Sequence, residues 1–350
     1  MTVQIGRRAI GRGHPAYIVA ELSGNHNGDI ERAVAIVRAA AAAGADAVKL
    51  QTYTADTITI RSDQPAFVVP GNGPWAGRTL HDLYQEAHTP WEWHARLFAE
   101  ARGAGIEIFS TPFDPTAVAF LESLGAPAYK VASFELVDDS LLRKVAATGK
   151  PVVLSTGMAN LEETTHAVET LRAAGCREMV LLRCTSSYPA PDASMMLATI
   201  PVMAETFDCP VGLSDHSVGV IAPVVALSLG ACFIEKHLTL RRADGGVDSH
   251  FSAEPDEFAD MVRNVRRAEA MIGTNKFGPG VEEEGNIVFR RSLFVVKDMA
   301  KGEPFTEENV RSIRPGFGLS PRYLDVALGK RATQPIARGT PLSWLLMCDE

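Results

Sequence analysis

Cysteine is scarce in this chain and never forms a Cys-x-x-Cys pair. The 350 residues contain five cysteines, at positions 176, 184, 209, 232 and 348. An odd number of scattered cysteines argues against a zinc ribbon and fits a reducing compartment. We therefore expect all five to be buried thiols.

Runs of positive charge and secretory leaders are also missing. Lysine and arginine total 34 against 42 aspartate and glutamate, a net charge of −8, and no basic run is present to follow a phosphate backbone. We expect no nucleic-acid partner. No apolar leader follows Met1, so the sequence predicts a cytoplasmic location.

One uncharged stretch, residues 217–234, reaches the length of a membrane span. Gly219, Pro223 and Gly230 interrupt it, and charged residues follow it directly. The stretch is therefore expected to be a buried helix followed by a strand, and no membrane partner is expected.

Short apolar runs alternate with Ala-, Leu- and Glu-rich amphipathic stretches along most of the chain. Alternation of this kind is typical of repeated βα units. The eight predicted strands are residues 17–22, 47–51, 106–111, 128–133, 152–156, 179–185, 211–215 and 232–240. The helices predicted between them include residues 30–43, 92–103, 115–123, 161–174 and 218–229.

Eight such units predict an α/β fold, a closed (β/α)8 TIM barrel, over residues 1–272. Residues 53–90 form an insertion too long for an ordinary connection, as active-site lids often are. Residues 273–286 read as a linker, and residues 287–350 as a small second domain of short strands and turns.

Polar residues collect at the ends of the predicted strands. In a (β/α)8 barrel the carboxyl ends of all eight strands open onto one face, where active sites lie. All eight units place an ionisable or hydroxyl group there, so a functional site is expected. These residues are Glu21, Lys49, Gln51, Thr111, Lys130, Ser133, Ser155, Thr185, Ser214, Asp215, His216, Glu235 and His237.

Two of these residues are lysines in otherwise apolar strands. Strand alternation directs Lys49 into the barrel and its neighbours Val48 and Leu50 toward the helices. Buried lysines need anions, so Lys49 and Lys130 predict a phosphate or carboxylate site. Two alternatives remain open: salt bridges with Glu21 and Glu135, or a lysine that forms a Schiff base.

Two histidines, His216 and His237, end neighbouring strands. Their rings are placed to converge on one divalent ion, with water or substrate completing its coordination. The alternative is a pair of ordinary hydrogen-bonded histidines.

Seven segments in this order resemble the motif set of the sialic acid synthase family. They are 21–28 (ELSGNHNG), 48–52 (VKLQT), 109–114 (FSTPFD), 130–133 (KVAS), 154–158 (LSTGM), 212–216 (GLSDH) and 234–237 (IEKH). The tail, with 314–321 (RPGFGLSP) and 329–335 (GKRATQP), is similar to the antifreeze-like (SAF) domain of these synthases. The resemblance covers essentially the whole chain.

The resemblance implies condensation of phosphoenolpyruvate with an acylamino sugar aldehyde to give a 2-keto acid and phosphate. It assigns a role to each matching residue. Lys49, Lys130, Thr111, Ser133, Ser155 and Ser214 would hold phosphoenolpyruvate, and Gln51, Ser186, Tyr188, Asp248 and Arg314 would contact the sugar. His216 and His237 would hold Mn²⁺ or Mg²⁺, and Glu135, with Glu21 nearby, would be the acid/base residue.

Two segments indicate which branch of the family is resembled. Residues 186–191 (SSYPAP) and 244–252 (DGGVDSHFS) stand where N-acetylneuraminate synthases tend to show Asn-x-Tyr-Pro and Gly-Pro-Asp-His. They look more like pseudaminic acid synthase, which would use 2,4-diacetamido-2,4,6-trideoxy-altrose. N-Acetylneuraminate and legionaminic acid synthases, with the same chemistry, are the alternatives.

Two other classes stay open: a Schiff-base aldolase and a carbohydrate-binding protein without activity. By resemblance we also expect a domain-swapped homodimer. In it the small domain, with Arg314, would cover the barrel mouth of the partner.

Overall fold

Eight parallel strands close into a barrel in this computed structural model, which describes residues 2–71, 73, 75–274 and 276–349. The eight strands are hydrogen-bonded in sequence order, with the last pairing to the first. They are β3 (Tyr17–Glu21), β4 (Ala47–Thr52), β5 (Glu107–Pro112), β6 (Tyr129–Val131), β7 (Val152–Ser155), β8 (Met179–Cys184), β9 (Val211–Asp215) and β10 (Phe233–His237). The predicted (β/α)8 barrel is confirmed, and each predicted strand is present with ends shifted by at most three residues.

A two-stranded hairpin precedes the barrel, formed by β1 (Thr2–Ile5) and β2 (Arg8–Gly11). Val3, Ile5 and Ile10 are buried in the same apolar cluster as Tyr17 and Phe233 from the first residues of the barrel strands. The hairpin therefore closes the amino-terminal end of the barrel interior.

Helices follow the strands, and all but the two short helices of the 53–90 insertion bury apolar side chains in the cluster on the outside of the barrel. They are α1 (Ile30–Ala42), α2 (Ala55–Ile58), α3 (Leu80–Ala87), α4 (Trp91–Gly103), α5 (Pro115–Ser123), α6 (Asp139–Ala146), α7 (Leu161–Ala173), α8 (Thr199–Phe207), α9 (Ile221–Ser228) and α10 (Pro255–Ile272). Val48 and Leu50 belong to the outer cluster, as strand alternation predicts.

Local sequence explains where these helices begin and end. Before α7, the Asn160 side chain accepts from the Glu163 backbone and the Glu163 side chain accepts from the Asn160 backbone, a capping box. After α1, Gly44 has a φ of 87°, a conformation that glycine adopts without steric cost.

The uncharged stretch at 217–234 contains α9 and the first residues of β10, which confirms the expected helix and strand. In the part of the chain that the structure describes, no helix combines the length and apolar character of a membrane span.

The chain divides into two compact units, Met1–Gly273 and Thr274–Glu350. The second begins with α11 (Val281–Glu284), then pairs β11 (Ser292–Val295) with β12 (Val310–Ile313) and, after α12 (Leu324–Ala327), β13 (Arg331–Ala332) with β14 (Met347–Cys348). It has its own apolar core, which includes Leu293, Phe305 and Leu342.

The predicted linker contains a helical turn, α11, and its residue 275 lies outside the described residues, as do residues 72 and 74 of the predicted insertion. Four cysteines are buried, but the expectation for Cys348 is wrong. It lies exposed on β14, because two-residue strands at the edge of a small unit cover little of their own surface.

Candidate active site

The carboxyl end of the barrel gathers most of the predicted site residues. Lys49, Thr111, Lys130, Ser155, Ser214 and His237 lie on barrel strands, and Glu21 ends β3. Ser133, Glu135, Ser186, Tyr188, His216 and Asp248 follow the ends of β6, β8, β9 and β10. Parallel strands bring these positions to one face, as expected.

Lys49 lies at the centre of a buried charge cluster. Its Nζ is 2.5 Å from Glu21 Oε2 and 3.5 Å from Glu235 Oε1, and it donates to Thr111 Oγ1 at 3.1 Å. Burial alone lowers the pKa of Lys49, but Glu21 and Glu235 outweigh it and the pKa is raised. Lys49 is therefore a protonated, ion-paired ammonium.

Lys130 is less well compensated. Its Nζ is 3.8 Å from Glu235 Oε1 and donates to the Val131 carbonyl at 3.3 Å. Burial lowers the pKa of Lys130, and Glu235 offsets only part of that effect. An anion bound beside Lys130 would complete its coordination and raise that pKa.

The carboxylates of the cluster respond in opposite ways. Burial alone would raise the pKa of Glu235. The charges of Lys130 and Lys49 outweigh burial and lower the pKa, so Glu235 is ionised. Burial raises the pKa of Glu21, and Lys49 offsets only part of this. The sequence left open that the two lysines form salt bridges with Glu21 and Glu135. Lys49 does pair with Glu21, but the carboxylate that lies near Lys130 is that of Glu235.

Several buried polar atoms at the mouth have no hydrogen-bond partner among the described residues. They are Ser155 Oγ, Glu135 Oε2, Glu235 Oε2 and His237 Nδ1. Buried polar atoms are normally satisfied, and clusters of exceptions indicate a missing ligand or water. The mouth of the barrel is therefore built to receive polar groups.

The two histidines are neighbours, with ring centroids 5.4 Å apart. His216 Nδ1 donates to the Thr185 carbonyl at 2.9 Å, so Nε2 carries the lone pair when the ring is neutral. Burial lowers the pKa of His216, but the hydrogen bond with the Cys184 thiol outweighs burial, and the pKa is raised. Burial, and then the charge of His216, holds the pKa of His237 well below its usual range. His237 is therefore the neutral imidazole that a metal requires.

These donors fit a divalent ion, with solvent or substrate supplying its remaining ligands. Among the described residues no group of three or more His, Cys, Asp or Glu side chains is placed to hold a metal. Two imidazoles, one with a buried unpartnered nitrogen, form a partial donor set. The metal itself stays a prediction.

A buried ion pair lies behind the histidines. Lys236 Nζ is 2.6 Å from Asp215 Oδ2 and donates to the Ser217 carbonyl at 2.6 Å. Asp215 Oδ1 accepts from the Ser217 backbone at 2.9 Å. Each member precedes a histidine in the chain, so the pair fixes the ends of β9 and β10 on which the imidazoles lie.

Glu135 has the properties of an acid/base group. Burial, partly offset by Lys130, raises its pKa to about 7. A carboxyl that titrates near neutrality can accept and return a proton during turnover.

A second chain of polar side chains lies at the mouth, next to the ends of β3, β4 and β10. Gln51 Nε2 donates to Ser23 Oγ at 3.0 Å, and the Ser23 hydroxyl donates to Asp248 Oδ2. The Ser23 amide donates to Glu21 Oε1 at 2.9 Å. Two predicted sugar contacts, Gln51 and Asp248, are thus joined through Ser23 to the charge cluster.

Gly157 explains how three loops come together. The Gly157 amide donates to Ser133 Oγ at 3.0 Å. A Cβ at Gly157 would lie 2.2 Å from Ser186 Oγ and 2.7 Å from Ser133 Oγ. Only glycine leaves room for both hydroxyls.

Sequence reasoning gave no role to Glu235, although it listed this residue at a strand end, and it missed Ser23 and Trp75. Glu235 could have been assigned, because it is two residues before His237 and faces the same side of β10. Ser23, which has a φ of 48°, and Trp75 of the insertion gave no such signal. Arg314 follows β12 in the second unit, and its part in the site stays a prediction.

A closed parallel barrel whose mouth holds buried lysines, carboxylates and paired histidines has the architecture of a (β/α)8 enzyme. Known proteins identify the family. The model of the NeuB family matches residues 36–277, and the model of the SAF domain matches residues 290–345.

Individual relatives agree with this match. A pseudaminic acid synthase of Campylobacter jejuni is 45% identical over 326 residues, covering 93% of this chain and 95% of that protein. One of Helicobacter pylori is 41% identical over 331 residues, covering 94% and 97%. The crystal structure of N-acetylneuraminic acid (sialic acid) synthetase from Leptospira borgpetersenii, in complex with citrate, has a TM-score of 0.73. It is 31% identical and covers 82% of this chain and 95% of that one.

The chain belongs to the NeuB family, and it ends in a SAF domain. The resemblance seen in the sequence is confirmed.

Proposed function

We propose that this chain is a pseudaminic acid synthase. It condenses phosphoenolpyruvate with 2,4-diacetamido-2,4,6-trideoxy-altrose and water, and it releases pseudaminic acid and phosphate. The observation that carries the proposal is the under-compensated Lys130 beside the unpartnered Ser155, Glu235 and His237 atoms. The identities of 45% and 41% to pseudaminic acid synthases support the choice of sugar.

Phosphoenolpyruvate binds in the charge cluster. Lys49 and Lys130 supply the positive charge, and Thr111, Ser133, Ser155 and Ser214 supply hydroxyls. The Ser214 hydroxyl donates to Glu235 at 3.2 Å, so it is held in place before substrate arrives. The Lys49–Glu21 ion pair argues against a Schiff base there, because a protonated amine is not a nucleophile.

His216 and His237 would hold Mn²⁺ or Mg²⁺, which when bound would supply Lewis-acid polarisation of the sugar aldehyde. Gln51, Ser186, Tyr188 and Asp248 orient the sugar. Tyr188 packs on His216 with ring centroids 4.4 Å apart, and this contact supports a sugar site next to the imidazoles.

Glu135 manages the proton of the water that is consumed. The methylene carbon of phosphoenolpyruvate attacks the aldehyde carbon, and the cation that develops at C2 takes up water. Glu135 accepts a proton from that water, with Glu21 nearby as a second carboxyl. In the tetrahedral intermediate the bond between C2 and the phosphate oxygen then breaks. Phosphate is released, and the oxygen that came from water becomes the ketone of the 2-keto acid.

A domain-swapped homodimer in the cytoplasm completes the proposal, with Arg314 of one copy reaching the sugar in the other. An apolar rim supports a second copy, because exposed apolar side chains in the loops after β6 to β9 invite burial. The rim consists of Phe134, Met158, Leu161, Met196 and Val218, each more than half exposed.

The test is turnover of a panel of acylamino sugars with phosphoenolpyruvate, before and after chelation. We expect 2,4-diacetamido-2,4,6-trideoxy-altrose to exceed N-acetylmannosamine by more than about tenfold in specificity constant. Chelation should abolish turnover, and Mn²⁺ or Mg²⁺ should restore it.

Each competing function has its own outcome. A higher specificity constant for N-acetylmannosamine, or for the legionaminic acid precursor, would reassign the sugar. Borohydride trapping of substrate on a lysine would indicate a Schiff-base aldolase, and sugar binding without turnover a carbohydrate-binding protein. Activity that survives exhaustive chelation would remove the metal.

A further inference from the structure

Trp75 lies in a turn of the insertion, far along the chain from the barrel strands. The turn is closed by backbone bonds from Val69 to the Arg78 carbonyl at 2.9 Å and from Gly77 to the Val69 carbonyl at 3.0 Å. Trp75 is half-buried. The position of the Trp75 side chain is therefore set by its contacts with other parts of the chain, and these contacts indicate its role.

The Trp75 side chain bridges two loops of the barrel mouth. Its indole N–H donates to the Val247 carbonyl, after β10, at 2.9 Å. Its ring packs edge-on against Tyr188, after β8, with centroids 5.8 Å apart, and against His250 at 5.9 Å. One side chain therefore ties together the loops after β8 and β10.

Both loops carry residues assigned to the sugar. Tyr188 lies between Trp75 and His216. Val247 directly precedes Asp248, whose carboxylate accepts the Ser23 hydroxyl. Trp75 thus contacts the face of Tyr188 that is turned away from His216, and it binds the backbone carbonyl of the residue before Asp248.

We propose that Trp75 is a positioning residue that sets sugar specificity by fixing Tyr188 and Asp248. This inference rests on the proposed function. It extends that function to a residue of the insertion, and it explains why residues 244–252, from which the sugar preference was predicted, need support from outside their own loop. The lysines and hydroxyls of the anion site have no contact with Trp75 among the described ring and hydrogen-bond contacts.

Tryptophan suits this position because it combines a large ring with one donor. Phenylalanine keeps a ring against Tyr188 but loses the bond to Val247, and alanine loses both. The series Trp75→Phe and Trp75→Ala therefore separates the two contacts.

The experiment measures kcat and the two KM values for wild type and both variants, with the diacetamido sugar and with N-acetylmannosamine. We expect W75A to raise the KM for the diacetamido sugar about tenfold or more, with W75F between W75A and wild type. The KM for phosphoenolpyruvate should stay within about twofold, because Lys49 and Lys130 are unaffected. Discrimination between the two sugars should fall in the same order.

Trp91 is the matched control. Its indole N–H also donates to a backbone carbonyl, that of Tyr53 at 3.2 Å, and its ring stacks on Phe120 with centroids 4.7 Å apart. It touches neither Tyr188 nor the 244–252 loop among the contacts described. Trp91→Phe should therefore leave the KM values and the discrimination unchanged.

Three outcomes would overturn the inference. They are equal changes in both KM values, a loss confined to kcat, or unchanged discrimination in W75F and W75A. Thermal unfolding of each variant checks folding, and W75F serves if W75A does not fold. A wild-type enzyme that turns over neither sugar would overturn the proposed function and this inference together, whereas an active wild type with indifferent variants would overturn this inference alone.

Discussion

The barrel interior has two layers built by the same strands. The lower layer, at the amino ends of the strands, holds apolar side chains, and the upper layer, at their carboxyl ends, holds charged and polar ones. On β10, Phe233 packs in the apolar lower layer, whereas Glu235, two residues later on the same face, pairs with Lys49 above it. The same change occurs on β6, from Ala128, just before the strand, to Lys130. The lower layer can be packed for stability, while the upper layer keeps buried charges and unpartnered atoms that cost stability and serve binding.

The largest expected effect comes from opening the lower layer. Phe233 is fully buried and stacks on Tyr17 with centroids 5.5 Å apart. Phe233→Ala should lower the free energy of unfolding by about 3–5 kcal/mol, because it leaves a cavity. Urea unfolding measures this, and at a temperature where the variant is folded its KM for phosphoenolpyruvate should match wild type. An equally stable variant would contradict the division between the layers.

The converse change is Lys130→Met in the upper layer. It should lower kcat/KM for phosphoenolpyruvate about 10²–10³-fold, the usual cost of removing one electrostatic donor. The change in stability should be small, because the loss of a buried, poorly compensated ammonium is offset by weaker compensation of Glu235, which keeps only Lys49 at 3.5 Å. Steady-state kinetics and urea unfolding measure the two effects, with Lys150→Met, at an exposed lysine, as control. Near-normal activity would show that Lys130 is only structural.

A smaller effect should follow from filling the space at Gly157. The methyl group of Gly157→Ala would collide with the Ser186 and Ser133 hydroxyls. We expect kcat/KM to fall about 10–100-fold through displacement of these groups. Because Ser186→Ala removes a proposed sugar contact, the double variant is compared with Ser186→Ala alone. Gly157→Ala should cost less in the Ser186→Ala background than in wild type, and an equal cost in both would contradict this packing.

The smallest effect is a pH dependence of stability. Because the pKa of Glu135 is about 7 when folded, above its unfolded value, its proton stabilises the folded state at low pH. That contribution is complete below the unfolded pKa and is lost as pH rises through about 7. Glu135→Gln should therefore gain stability relative to wild type between pH 5 and pH 8, on the order of 1 kcal/mol.

Unfolding curves at the two pH values measure this difference. Glu122→Gln, at an exposed glutamate of α5, should show no such change. If Glu135→Gln does not gain stability relative to wild type as pH rises from 5 to 8, the raised pKa of Glu135 is contradicted.

The barrel could be predicted from sequence because each strand is a short apolar run bounded by turn residues, which the closed parallel sheet requires. The site residues on the strands could be predicted as well, since alternation fixes which way Lys49 and Lys130 point. Ser23 and Trp75 could not, because loop geometry places them. Trp75 bonds to a carbonyl 172 residues away, a distance no local pattern encodes.

The most direct test of the central claim follows the bridging oxygen of phosphoenolpyruvate. If the upper layer delivers water to C2, the C–O bond breaks, and ¹⁸O placed in the bridging position should appear in the released phosphate. Phosphate release should also require both phosphoenolpyruvate and the sugar. Label retained in the keto acid product would show P–O cleavage and contradict the account.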